Sequence, residues 1–207
     1  MQTPEIALDF EPDWGSLPEV SYSFDSVVQG TPRLVEQRRP LLPTPIRSVK
    51  YDFTLSDEEA QRLVNVLTYG ASKFICVPIF SEPLLANTIT QGASSIIVTQ
   101  DVSNLWNIQN CDWAVIIDFV NREAEMLSVS SASGTTITLA GAIVGAFVAA
   151  RCAIYPAFAG IVMGFDRTPV SDFTHKVTAE FEETPTEHAE AVGSWVGIDG
   201  QICPEDI

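Results

Sequence analysis

The sequence predicts a mainly β fold, an antiparallel β-sandwich or split barrel that carries one α-helix and extended terminal arms. Three observations predict it. Val49, Tyr51, Phe53 and Leu55 alternate with Lys50, Asp52 and Thr54, the period of a half-buried strand. One helical period follows, at about 56–69, and no second one of comparable clarity appears. Beyond Gly70, short runs of β-branched and aromatic residues alternate with turn residues down to residue 183.

Each element has a local reason. Ser56-Asp57-Glu58-Glu59 is a capping box, with serine at the helix N-cap and glutamate three residues on. Ala60, Leu63, Val64 and Leu67 supply the apolar stripe, and Gly70 sits where the helix stops. Tyr22–Val28 reads as a short strand, and Gly30-Thr31-Pro32 as a turn. Strands are expected at Phe74–Phe80, Ser95–Thr99, Trp113–Phe119, Glu125–Ser130, Thr135–Leu139, Arg151–Tyr155, Phe158–Met163 and Asp172–Glu182. Ser131–Gly134 joins two of them as a hairpin. In the last strand Phe173, His175, Val177, Ala179 and Phe181 share one face.

The chain divides into an acidic N-terminal arm at 1–20, a β-rich core at 21–183, and an acidic C-terminal tail at 184–207. The core includes a basic, proline-braced segment at 33–47. With 207 residues, 46% of them hydrophobic and 18% charged, the chain is long and apolar enough to bury a core. The opening MQTPEIALDFEPDW lacks the basic start and apolar centre of a secretion signal. The apolar run at 139–165 is interrupted by Arg151 and Pro156, so buried strands account for it better than a bilayer crossing. A soluble chain without membrane insertion is expected. Cys76, Cys111, Cys152 and Cys203 are far apart and read as small buried thiols, with Cys203 placed to be exposed near the chain end.

No residues assemble into a recognisable catalytic or cofactor motif, and neither enzyme activity nor a cofactor or metal is expected. There is no nucleophile elbow, phosphate loop, dinucleotide fingerprint or zinc motif. His175 reads as a structural residue of its strand, and His188 lies in the acidic tail. Asp118 and Glu123 flank a strand end and could form a carboxylate pair, but near pairs arise by chance among 27 acidic residues. Trp106 and Trp113 could stack on a sugar, although core packing is the commoner fate of such rings.

Charge is the more informative signal. The net charge is −16, yet Arg33, Arg38, Arg39, Arg47 and Lys50, five of eleven basic residues, lie within eighteen positions. Such segregation suits contact with an acidic surface, and another copy of the same chain supplies one. The overall charge argues against a broad phosphate-binding surface, so nucleic acid is not an expected ligand.

The order of features resembles tail-tip proteins of long-tailed bacteriophages and gene-transfer particles, of the distal tail or minor tail protein type. The features are Trp14 with Pro18, Tyr22-Ser23-Phe24, EQRRPLLPTPIRSVKYDFTLSDEEAQRLVNVL, CVPIF, EMLSVSSASGTTITL, AIYPAFAGIVMGF and HKVTAEFEE, across about residues 14–183. Glu36-Gln37-Arg38-Arg39, Pro45-Ile46-Arg47 and Ile154-Tyr155-Pro156 match best. The resemblance implies a virion protein of the tail tip whose copies close into a ring, most often a hexamer, between tail tube protein and the hub or baseplate. DNA would pass nearby unbound. Relatives often carry a further C-terminal domain, which this sequence is not expected to contain, and the basic run after the proline is reduced to Arg47. Arg38, Arg39, Arg47, Trp14 and Glu36 are assigned to the subunit contact on this reading. The alternative is a β-sandwich module recognising a surface glycan or receptor.

Overall fold

The computed structural model describes residues 3–16, 18–23, 26–30, 36–40, 45–103 and 111–184, with 26–30 and 36–40 described by their backbone pairing. Thirteen strands and one α-helix are present among them. Eleven strands form one sheet that is not closed, and two form a separate ribbon. The fold is therefore mainly antiparallel β with a single helix, as the sequence predicts.

The longest strand organises the rest. β12 (Cys152–Ser171) pairs with β6 (Ile75–Pro78) along one edge over Ala157–Gly160. Ala157 also pairs with Trp113 of β9 (Trp113–Asp118), and Gly160 with Glu183 of β13 (Thr174–Glu183). β9 and β13 thus occupy its other edge in succession, and the sheet divides there into two walls that share one strand. The first wall continues from β13 to β5 (Ile46–Ser56) and β2 (Glu19–Ser23). The second continues from β9 through β10 (Glu123–Ser133) and β11 (Thr136–Leu139) to β8 (Ser95–Val98) and β7 (Ala86–Thr88). The sequence reading splits β12 in two at Pro156 and Ala157. Both residues instead sit in register opposite Ala114 and Trp113, so the strand runs through.

Alternation fills the space between the walls. Val49, Tyr51 and Phe53 point inward from β5, opposite Phe181, Ala179 and Val177 of β13, and all six are buried. Tyr51 packs edge-on against Phe80 at 5.3 Å between centroids, and its hydroxyl donates to the Pro78 carbonyl at 2.7 Å. The helix α1 (Asp57–Gly70) closes the core with Ala60, Leu63 and Leu67. Ser56 is its N-cap, and the Glu59 carboxylate accepts from the Ser56 amide at 3.2 Å and hydroxyl at 2.7 Å. Gly70 is required by closeness. A Cβ there would stand 2.9 Å from methyl groups of both Ile75 and Val162.

The N-terminal segment belongs to the fold. Ile6, Leu8 and Phe10 alternate inward, and β1 (Ile6–Ala7) runs parallel to β6. Lys73 pairs with Glu5 at 2.9 Å, and Arg62 pairs with Asp9 and lies over the Phe10 ring at 4.4 Å. Of the predicted arm at 1–20, this stretch is docked on its own domain. No helix among the described residues is long and apolar enough to cross a membrane. Of the run at 139–165, Leu139 ends β11 and 152–165 belong to β12.

Candidate functional site

A partly enclosed surface cleft grows out of the docked N-terminal segment. Asp9, Phe10 and Glu11 run past Thr54 and Leu55 of β5 and face the end of β9, leaving a cleft of about 330 Å³. Glu59 and Arg62 of α1 form one wall, and Asp118, Phe119 and Arg122 form the other. A second hollow bounded by Pro12, Asp13, Trp14 and Gly15 shares Glu11 and Thr54 with the first, so the two form one groove.

Its electrostatics are acidic with internal compensation. Arg62 engages Asp9, and Arg122 engages Glu59. Asp13 accepts from the Thr54 hydroxyl at 2.9 Å and the Gly15 amide at 2.9 Å. Its carboxyl is held below the ordinary range by the Gly15 amide first and the Thr54 hydroxyl next. Glu11 accepts from the Trp14 indole nitrogen at 2.8 Å, and this bond orients a ring that remains 47% exposed. Asp52, under the same segment, accepts from Lys176 at 2.8 Å, Thr178 at 2.7 Å and Ser16 at 3.1 Å.

Asp118 is the only buried carboxylate among the described residues, and it has a structural task. It accepts from the amides of Val120 and Asn121 at 2.9 and 3.0 Å and from the Asn121 side chain at 3.1 Å. These bonds, led by the Asn121 amide, hold its carboxyl below the ordinary range. They also brace a turn in which Arg122 adopts φ 55°, a left-handed conformation rare outside glycine. Glu123 faces Asp118 across the ladder where the two strands close a hairpin, and of the two only Asp118 lines the cleft. His175 lies on β13, with Nε2 2.9 Å from Asp57 of the helix. Trp113 is buried in the core. Among the described residues no group of three His, Cys, Asp or Glu is placed to hold a metal ion.

The residues assigned to a subunit contact separate into three groups. Arg47 is only 4% exposed and sits inside its own domain. Its Nε stands 3.8 Å from Glu183, its Nη1 3.8 Å from the Cys111 sulfur, and its guanidinium 5.3 Å from the Phe158 ring centroid. β5 points its odd-numbered residues inward, and Arg47 occupies the first of these positions, in line with Val49 and Tyr51. Burial pushes the Glu183 carboxyl up, and the attraction of Arg47 only partly offsets this. Burial also pushes the Cys111 thiol up to about 11, so it stays a neutral thiol.

Trp14 is an exposed rim of the groove. Glu36, Arg38 and Arg39 lie in β4 (Glu36–Pro40), paired with Gly30, Val28 and Val27 of β3 (Ser26–Gly30). β4 lies within the basic, proline-braced segment at 33–47, where the sequence reading places no strand, and the expected Tyr22–Val28 strand is divided between β2 and β3. Cys76, Cys111 and Cys152 are buried thiols. Trp106, His188, Cys203, Arg33 and the tail beyond 184 lie outside the described residues. The groove itself escapes the sequence reading, although the alternation of Ile6, Leu8 and Phe10 signals a docked segment.

No family model matches this chain, and no curated protein matches it.

Proposed function

We propose that this protein is a non-catalytic structural subunit of a phage-like tail tip, assembling as a closed ring that joins the tail tube to the hub. The observation that carries the reading is the β3–β4 ribbon. It pairs only within itself among the described residues, and it bears an Arg-Arg step in a chain of net charge −16. A paired ribbon set apart from the main sheet suits contact with a neighbouring copy, because extended backbone is already ordered before it docks. The acidic balance suits a ring around a DNA path, since like charge keeps the genome from adhering to it. Asp118 and Glu123, the nearest approach to an acid–base pair in the sequence, are absorbed by a turn, which favours a structural role over a hydrolytic one.

Electron microscopy of particles made with and without the full chain tests this. Ring density at the tail tip, six-fold by resemblance, is the expected result, with loss of complete tips when the chain is absent. Complete tips and normal DNA ejection in its absence would sink the proposal.

A further inference from the structure

The basic ribbon and the acidic groove lie at opposite ends of one strand. β2 pairs with β5 from Lys50 back to Ile46, and the ribbon joins the sheet beyond Ser23 and Ile46, through residues 24–25 and 41–45. The groove lies at Thr54 and Leu55, eight residues farther along β5. At the rise of an extended strand that separation is roughly 26 Å.

The groove has the chemistry of a guanidinium receptor. Its Trp14 ring is exposed and oriented by Glu11, and a planar cation stacks favourably on such a face. Glu11 and Asp13 stand beside the ring, and a carboxylate accepts two parallel bonds from an arginine fork. Arg38 and Arg39 pair with Val28 and Val27 at successive positions of the ribbon's backbone ladder.

We infer that the groove at Glu11, Asp13 and Trp14 is the docking site for the Arg38–Arg39 ribbon of a second copy. The inference rests on the ring reading above and specifies its contact. Complementary surfaces at opposite ends of one strand meet head to tail, and such a heterologous contact closes into a ring when the rotation per subunit divides the circle.

The test uses the full chain and sedimentation velocity at low ionic strength. Wild-type chain is expected to associate with rising concentration. Glu11→Arg, or Arg38→Glu with Arg39→Glu, is expected to remain monomeric with an unchanged far-UV spectrum. A chain carrying all three changes, and an equimolar mixture of the two variants, are expected to associate again, because each altered ribbon then meets an altered groove. Glu11→Gln keeps an oxygen for the indole bond and serves where the reversal disturbs folding; it is expected to weaken association. Association unchanged in the reversed variants overturns this contact and leaves the ring standing. Loss without recovery in the combined chain shows that these charges do not face one another, and it also overturns the contact. A wild-type chain that stays monomeric overturns the contact as well, and the tail-tip role then rests on the particles alone.

Discussion

Replacing Arg47 with methionine would test whether the buried guanidinium is held by Glu183 or merely fills space. The substitution keeps an unbranched apolar stem but leaves the Glu183 carboxylate, 17% exposed, without the cation 3.8 Å away. Breaking a buried pair from one side costs about 3–5 kcal/mol, because the remaining charge stays desolvated. Loss of the stacking on Phe158 contributes at most about 2 kcal/mol and does not vary with pH. The two effects therefore separate. In the wild type, burial already raises the Glu183 carboxyl above its ordinary value of 4.5, with Arg47 opposing the rise. Without Arg47 the folded-state pKa rises further above the unfolded one. The resulting penalty is complete above the folded pKa and vanishes below the unfolded pKa, so the variant should regain stability as pH falls toward 4.5. Urea unfolding at about pH 7 and about pH 5 reads this directly. Arg47→Met with Glu183→Leu should recover most of the loss, since a buried pair replaced by apolar residues is often near neutral. A single-variant loss under about 1 kcal/mol, or one independent of pH, would refute the assignment of Glu183 as its counter-ion.

Three further outcomes are expected. Gly70→Ala should destabilise the fold by about 1–3 kcal/mol in urea, despite the gain of about 1 kcal/mol that helix propensity predicts, because the new Cβ meets two stiff β-branched methyls at 2.9 Å. Stabilisation would show that Ile75 and Val162 yield. Asp118→Ala should lower the thermal midpoint at neutral pH, and the difference from wild type should shrink as pH falls through the depressed folded-state pKa, where the wild-type carboxylate also loses its charge. A difference that persists in acid would mean the turn does not rely on that charge. Ser56→Ala should cost about 1 kcal/mol of stability by removing the N-cap hydroxyl, with no change in assembly; altered assembly would tie the helix start to a contact.

Much of the fold is legible because period and position agree. β5 shows its alternation, and the capping box at Ser56 marks the start of α1 to the residue. The continuity of β12 is less legible. Pro156 reads as a breaker in sequence, but a proline lacks only a donor, and the shared strand accommodates it. Arg47 misleads for a different reason. Its neighbours in sequence are prolines and basic residues, while its burial follows from the parity of β5, which puts it in line with Val49. A count inward from Val49 by twos would have placed it correctly. The groove depends on Glu11 coming beside Glu59 and Phe119, and no local pattern encodes that meeting.

The pairing of β5 with β13 also dictates an order of events at the ribosome. Thr54 pairs with Lys176, and Val49 with Phe181, so β5 waits for more than a hundred residues of chain before its ladder partner exists. During that interval its edge carries unpaired amides and its inner face carries Val49, Tyr51 and Phe53. β2 covers only the first part of the strand, from Ile46 to Lys50. Contacts of such long sequence separation close slowly, and an uncovered apolar strand is open to pairing with other nascent chains meanwhile. Lys50 and Asp52 keep the outward face charged through the delay. The helix that follows immediately, made of local contacts, can form early and lay its apolar stripe over the waiting strand.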